Sequence, residues 1–195
     1  MKRLIFITGD PGAGKSTLAR AIAANLGLPY LSTGDALRRG GYGHLLVEGD
    51  FGPDEVVDGA VREFVVQNDW DCIVDGFPRK PKQVSTVVAL VDAYWEQAAQ
   101  RGLEPEDTEH LEYRVIYLEI EQDEAIKRYQ RQGFRRSIES GKYGPAGGTC
   151  PAGGRYLVDD IHEHYPYRRQ KQEPALRAML EHASLLDVPI TKRSA

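Results

Sequence analysis

Short apolar runs recur along this chain, separated by longer and more polar segments. Runs such as 4–7 and 72–74 are too short for helices and are rich in Ile, Val and Leu, so they predict buried strands. The predicted strands are 4–7, 29–32, 72–74 and 114–118, with a fifth at 186–190. Runs of this kind, apolar throughout rather than alternating, are typical of a sheet that is covered on both faces.

The segments between these runs have the spacing of helices. Leu18 and Ile22 lie four residues apart on one predicted helix face, and Gly27 follows as a typical helix end. Further helices are predicted from Asp54, and over about 83–100. Strands that alternate with helices predict a mostly parallel sheet, and a chain of 195 residues suits a single α/β domain.

A glycine-rich motif follows the first predicted strand. Residues 9–16 read GDPGAGKS, which matches GxxxxGK[ST] between a strand and a helix start, the context of a phosphate-binding P-loop. The backbone N–H groups of such a loop converge on phosphate oxygens, Lys15 would reach the outer phosphates, and Ser16 would offer its hydroxyl to Mg²⁺. The predicted ATP-binding residues here are Gly12, Ala13, Gly14, Lys15, Ser16 and Thr17. The sequence therefore predicts ATP and Mg²⁺ as ligands.

Composition excludes some other classes. The net charge of −4 disfavours a nonspecific nucleic-acid binder, since such proteins carry a basic excess. The sequence contains no run long enough to cross a bilayer, and its two cysteines give no disulfide framework. We therefore expect a cytoplasmic protein whose partners are small molecules rather than nucleic acid or membrane. A GTPase switch is also disfavoured, because the chain has no DxxG and no NKxD segment.

Polar segments follow the next two predicted strands. The string STGDALR ends in Arg38, and the string DGFPR runs from Asp75 to Arg79. Because ligands of open α/β sheets lie beyond the carboxyl ends of the strands, both segments should face the P-loop. The two arginines, Arg38 and Arg79, could bind a second, dianionic phosphate there. The carboxylate of Asp75 is suitably placed to hold Mg²⁺.

These strings together resemble the adenylate kinase family of nucleoside monophosphate kinases. The matching segments are GDPGAGKST, LSTGDALR, DGFPR with Gln83 after it, and VIYLEI. The resemblance implies a three-layer P-loop NTPase fold with a five-stranded, mostly parallel sheet, a small monophosphate-binding insert and a flexible lid. On this basis residues 1–195 form one kinase domain, with core segments 1–31, 68–131 and 160–195, an insert at about 32–67 and a lid at about 132–159. The implied reaction is Mg²⁺-dependent transfer of the ATP γ-phosphoryl group to a nucleoside monophosphate, with AMP as the expected acceptor.

The resemblance also assigns roles to individual residues. It implies acceptor binding by Thr33, Arg38, Gly76, Arg79 and Gln83, and Mg²⁺ binding at Ser16 and Asp75. It implies catalytic roles for Lys15, Arg79, Arg128, Arg155 and Arg168, of which Arg128 would also pack on the base of ATP. Gln83 would read the adenine edge, since an amide both donates and accepts hydrogen bonds in one plane.

Two alternatives stay open from the sequence. The segment from Arg39 to Asp50 is shorter than the usual insert, which leaves room for a P-loop kinase that acts on another phosphorylated small molecule. The second alternative is an ATP-binding regulator without useful catalysis. We expect the protein to be a monomer.

Overall fold

A computed structural model describes residues 1–42, 51–102, 110–128 and 158–195, and for 158–168 it describes the backbone alone. The strands are β1 (Lys2–Gly9), β2 (Tyr30–Ser32), β3 (Cys72–Asp75), β4 (Leu111–Glu119) and β5 (Ile190–Ser194). The helices are α1 (Lys15–Leu26), α2 (Thr33–Arg39), α3 (Asp54–Gln67), α4 (Pro81–Gln100), α5 (described over 122–128) and α6 (Val158–Leu185).

All five strands form one parallel sheet in the order β2-β3-β1-β4-β5. The central strand β1 pairs with β3 on one side and with β4 on the other, so that Ile7 is in register with both Asp75 and Ile116. On the outer side of β3, Ser32 of β2 is in register with Asp75. The carboxyl ends of β1, β2 and β3 therefore meet at one edge of the sheet.

Two cores cover the two faces of this sheet. On one face, Ile5 and Ile7 of β1 pack with Ala19 of α1 and Ala125 of α5. On the other face, side chains of β1, β3 and β4 pack against α3, α4 and α6; they include Leu4, Phe6, Val74, Val61, Val84 and Met179, all 0% exposed. This arrangement of helix, sheet and helix is the three-layer P-loop NTPase fold that the sequence predicted.

Four of the five predicted strands are confirmed, and the fifth was placed wrongly. Residues 186–190 were predicted to form the fifth strand, but β5 spans Ile190–Ser194 and shares only its first residue with that prediction. Helix α6 continues to Leu185 and is closed by Asp187 in the left-handed region, at a φ of +52°, while the amide of Val188 donates to the Ala183 carbonyl. Val188 is buried because it closes this turn, and not because it belongs to a strand.

Parts of the predicted domain plan lie outside the described residues. The predicted lid at about 132–159 is in this group apart from 158 and 159, which begin α6, and so are residues 43–50 of the predicted insert. Among the residues that the structure describes, no helix combines the length and the apolar character that a bilayer crossing requires.

Candidate active site

The P-loop connects β1 to α1, as its sequence predicted. Gly12 and Gly14 adopt positive φ angles of +80° and +85°, and Gly14 is the N-cap residue that precedes α1. Gly14 also accepts hydrogen bonds from the amides of Thr17 and Leu18 through its carbonyl oxygen. The loop therefore ends on the amino terminus of a helix, whose N–H groups and dipole favour an anion.

Lys15 lies across this loop. Its Nζ donates to the carbonyl oxygens of Gly9 at 3.0 Å and Asp10 at 2.6 Å. The ammonium group is thus held over the loop on which the phosphates are predicted to lie. The side-chain carboxylate of Asp10 accepts hydrogen bonds from the hydroxyl of Tyr117 at 3.0 Å and from the amide of Ile120 at 3.1 Å. This second set of contacts ties the loop to the end of β4, from which α5 follows.

Ser16 and Asp75 meet at the carboxyl edge of the sheet. Ser16 Oγ donates to Asp75 Oδ2 at 2.5 Å, and the hydroxyl of Tyr30 donates to the same oxygen at 3.0 Å. Asp75 is only 4% exposed. Burial raises the pKa of Tyr30, and the nearby carboxylate of Asp75 raises it further, so Tyr30 carries its proton at neutral pH. The two predicted metal-binding side chains are therefore in direct contact.

The segment after β3 forms the opposite wall. The amide of Gly76 donates to the Ile7 carbonyl at 2.8 Å, and Thr8 Oγ1 donates to the Pro78 carbonyl at 2.5 Å, so β1 holds the segment on both sides of Phe77. Thr33 Oγ1 donates to the carbonyl oxygens of Asp75 and Gly76 at 3.0 and 3.1 Å. These bonds fix the backbone of the segment that carries the predicted acceptor residues.

Thr33, Gly76 and Arg79 converge on a single point. A β-carbon built on Gly76 would lie 2.5 Å from Thr33 Oγ1 and 2.8 Å from Arg79 Nη2. The ring of Phe51 lies 5.6 Å from the Arg79 guanidinium carbon and 5.7 Å from Lys80 Nζ, within the range of cation–π attraction. Arg79 is therefore held in place by its packing as well as by its position in the chain.

Gln83 differs from an ordinary surface residue in the first turn of a helix. It is 2% exposed, its Oε1 accepts from the Arg79 amide at 2.7 Å, and its Nε2 donates to Asp54 Oδ1 at 3.3 Å. A donor on one side and a carboxylate on the other fix which end of the amide is oxygen. Lys80 Nζ also binds Asp54 Oδ1, at 2.9 Å, so α3 and the start of α4 are joined at this point.

The remaining predicted arginines are described to different extents. Arg38 is exposed and its Nη1 binds Asp35 Oδ1 at 2.5 Å. Arg128 binds Glu124 through Nε at 3.0 Å, and its Nη1 would lie 3.9 Å from a β-carbon on Gly14, so it lies next to the P-loop. Arg155 and the side chain of Arg168 lie outside the described residues. Their roles stay predictions.

Comparison with known proteins identifies the family. The model of the AAA domain family matches residues 8–142. An adenylate kinase of Nostoc sp. is 34% identical over 152 residues, which cover 71% of this chain and 73% of the relative. The adenylate kinase of Chlamydia pneumoniae is 34% identical over 136 residues, covering 64% of this chain and 57% of its own length. That of Archaeoglobus fulgidus is 28% identical over 212 residues, covering 97% and 91%.

The chain carries an AAA domain and belongs to the adenylate kinase family. The side chains of Ser16 and Asp75 fit what a P-loop kinase of this family needs to bind Mg²⁺. A hydroxyl and a carboxylate are hard oxygen donors, the type that Mg²⁺ prefers, and they lie within 2.5 Å of each other beside the loop.

Sequence reasoning missed two contributors to this adenylate kinase site, since Tyr30 was assigned only to a strand and Phe51 was assigned no role. For Asp54 it predicted a helix start, and the string GPDE at 52–55 resembles the family segment that lines the base pocket, but the contact with Gln83 was not predicted. For Tyr30 a signal existed, since it lies two residues before Ser32 and so on the same side of β2. Nothing in the local sequence indicates the contacts of Phe51 and Asp54, because they depend on how α3 packs against α4.

Proposed function

We propose that this protein is a nucleoside monophosphate kinase that transfers the γ-phosphoryl group of ATP to AMP, giving two ADP, with Mg²⁺ as cofactor. One observation carries the proposal. Ser16, the neighbour of Lys15 in the P-loop, donates to Asp75, and the guanidinium group of Arg79 lies beside Gly76, the residue after Asp75, so that one edge of the sheet carries cationic groups for a donor phosphate and for an acceptor phosphate. A P-loop alone would account only for the donor.

The described residues divide between the two phosphates. On the donor side, the P-loop N–H groups and Lys15 bind the phosphate chain of ATP, and Arg128 lies beside Gly14. On the acceptor side, Arg79 and Thr33 bind the phosphate of the monophosphate, and Arg38 of α2 is the further predicted ligand. A guanidinium group pairs with two phosphate oxygens at once, which fixes the acceptor oxygen in line for attack.

Charge is the main thing that such a site must supply. In phosphoryl transfer the group in flight spreads negative charge over its equatorial oxygens, and catalysis consists chiefly of alignment and charge stabilisation. The acceptor is already an ionised phosphate oxygen, so this chain needs no general base. When bound at Ser16 and Asp75, Mg²⁺ supplies further positive charge beside the donor phosphates.

The position of Gln83 supports adenine as the acceptor base. Its amide uses one N–H on Asp54 and one oxygen lone pair on the Arg79 amide. One N–H and one lone pair are left, which is what a side-by-side pair with the Watson–Crick edge of adenine requires. Because the orientation of this amide is fixed, its remaining donor and acceptor would meet an adenine base in a defined order.

We extend the proposal to the domain plan and the setting. The insert at about 32–67 would hold the monophosphate, and the lid at about 132–159 would bring Arg155, with Arg168 at its far side, to the phosphates. A single copy of the chain would suffice as a monomer, because both phosphate sites are built from its own residues. The free thiol of Cys72 is compatible with the reducing cytoplasm.

A substrate series tests the proposal. ADP formation is followed by a coupled assay with ATP and each of AMP, CMP, UMP, GMP and dAMP. We expect AMP to give the highest kcat/KM. Turnover with none of the five would refute the proposal, and ATP binding with turnover no faster than that of Lys15→Ala would instead favour a regulator.

A matched pair of arginine variants tests the acceptor assignment. Arg79→Ala should lower kcat/KM for AMP by on the order of 10²–10³-fold while the Kd for ATP changes little, since a well-placed charged donor is lost on the acceptor side alone. Arg177→Ala is the control, because that exposed residue of α6 pairs with Glu173, away from the proposed site. Equal loss of AMP use and ATP binding in Arg79→Ala would contradict the assignment.

A further inference from the structure

Asp75 receives two hydroxyl groups on one oxygen. Ser16 donates to Oδ2 at 2.5 Å from α1, and Tyr30 donates to the same Oδ2 at 3.0 Å from β2. Neither hydroxyl binds Oδ1. Hydrogen bonds from α1 and from β2 therefore both hold Oδ2, and together they fix the orientation of the carboxylate.

The register of β2 and β3 brings Tyr30 to this position. Ser32 pairs with Asp75 and Tyr30 pairs with Ile73, so Tyr30 and Asp75 lie on the same face of the sheet in diagonal positions. A tyrosine is long enough to span this diagonal. The ring packs against the core under α1, and the guanidinium carbon of Arg20 lies 5.8 Å from its centroid. Tyr30 is therefore itself held in place and can serve as a fixed donor.

A buried carboxylate needs such donors. Asp75 is 4% exposed, so water contributes little to solvating its charge, and hydrogen bonds to it must come from the protein. Groups that bind metal ligands from behind commonly set the orientation of those ligands and so the affinity of the site. Ser16 is itself a predicted metal ligand and Tyr30 is not, so Tyr30 would act on the site through Asp75.

We propose that Tyr30 is a positioning residue for the Mg²⁺ site of this kinase, acting by holding Asp75 Oδ2 through its hydroxyl. The proposal rests on the proposed function only in requiring ATP and Mg²⁺ as joint ligands, and it is independent of which acceptor the enzyme uses. It predicts that the hydroxyl of Tyr30 contributes to metal binding more than to nucleotide binding.

The test compares nucleotide affinity with and without the metal. The Kd of the non-hydrolysable ATP analogue adenylyl imidodiphosphate is measured by calorimetry in excess Mg²⁺ and again in EDTA, and the ratio of the two gives the coupling between metal and nucleotide. Tyr30→Phe keeps the ring and removes only the hydroxyl. We expect its coupling ratio to fall on the order of tenfold, with the Kd in EDTA unchanged.

Tyr113→Phe is the matched control. Tyr113 is a partly buried tyrosine of β4 that packs against the opposite core, so it loses the same atom away from Asp75. We expect this variant to keep the wild-type coupling ratio. Activity gives a second reading: Tyr30→Phe should raise the Mg²⁺ concentration for half-maximal rate while kcat at saturating Mg²⁺ stays near that of the wild type.

The outcomes separate this proposal from the proposed function. A coupling ratio in Tyr30→Phe equal to that of the wild type would overturn the role of Tyr30, and so would an equal fall in Tyr113→Phe. A change confined to thermal stability would also overturn it, because it would show a structural role alone. Failure of the enzyme to phosphorylate any monophosphate would refute the proposed function and leave these binding results intact.

Discussion

Replacing Gly76 by alanine tests how closely Thr33 and Arg79 pack against Gly76. Gly76 has a φ of +85°, and its missing β-carbon would lie 2.5 Å from Thr33 Oγ1 and 2.8 Å from Arg79 Nη2. Both distances are below any that a real β-carbon tolerates, so Gly76→Ala must displace a neighbour. Gly27 provides the matched control, because it has a φ of +66° at the end of α1 and a β-carbon there would meet nothing within 4 Å.

Both variants place alanine in the left-handed region of the backbone, but only Gly76→Ala also disturbs buried hydrogen bonds. A left-handed residue other than glycine costs about 1–2 kcal/mol, which is all that Gly27→Ala should lose. In Gly76→Ala the hydroxyl of Thr33 must also leave the carbonyl oxygens of Asp75 and Gly76, a buried interaction worth about 1–3 kcal/mol. We therefore expect Gly76→Ala to lose about 2–5 kcal/mol of unfolding free energy.

The effect on activity should separate the variants further. Arg79 Nη2 is the end of a long side chain, so its displacement costs little stability but moves a predicted acceptor-binding group. A misplacement of about 1 Å can lower the rate on the order of 10²-fold, and we expect that loss in kcat/KM for AMP. Gly27→Ala should keep wild-type kcat/KM.

Urea denaturation and the coupled ADP assay measure the two quantities. Unfolding can be followed through the fluorescence of Trp70, which is 2% exposed and packs edge-on against Tyr94. If Gly76→Ala matched Gly27→Ala in unfolding free energy and kept the wild-type kcat/KM for AMP, the close packing of Thr33 and Arg79 against Gly76 would be needed neither for stability nor for acceptor binding.

Two further predictions concern buried titratable groups. Burial raises the pKa of Tyr117, and the carboxylate of Asp10, to which its hydroxyl donates, raises it further. Above about pH 10, the ordinary pKa of a tyrosine, the unfolded chain releases this proton and the folded chain keeps it, so the free energy of unfolding should fall as the pH rises. The urea midpoint of Tyr117→Phe should therefore fall less steeply than that of the wild type between about pH 9 and 11. The same dependence of the midpoint on pH in both proteins would contradict this prediction. Burial also raises the pKa of Cys72 to about 12. In a Cys150→Ser background its thiol should therefore resist alkylation by iodoacetamide at about pH 8 and react once urea unfolds the chain, and rapid alkylation of the folded protein would show that the thiol is accessible.

The sequence predicted those parts of the site whose geometry is local. The P-loop carries its own signature, since the glycines, Lys15 and Ser16 lie within one strand, turn and helix. The strands up to β4 were recognisable because a parallel sheet covered on both faces needs apolar runs. The fifth strand was placed wrongly because the residues before Ile190 close the end of α6, and a short run of apolar residues does not distinguish a helix end from a strand.

Contacts between distant segments could not be predicted in the same way. Gln83 was expected from the family resemblance, but its burial depends on Asp54 of α3 and on the backbone of Arg79. The contact between Tyr30 and Asp75 depends on the register of β2 against β3, which a single sequence does not specify. The roles of Arg155 and Arg168 stay predictions, because they lie in or beside the predicted lid.

The segment from Asp75 to Arg79 links the two halves of the site mechanically. Its first residue lies against Ser16 of the P-loop, and the guanidinium group of its last lies beside Gly76 and the ring of Phe51. Bonds from Ile7 and Thr8 of β1 hold the backbone between them. Because these five consecutive residues are held by β1, we expect the two proposed phosphate sites to keep a fixed separation that the central strands determine.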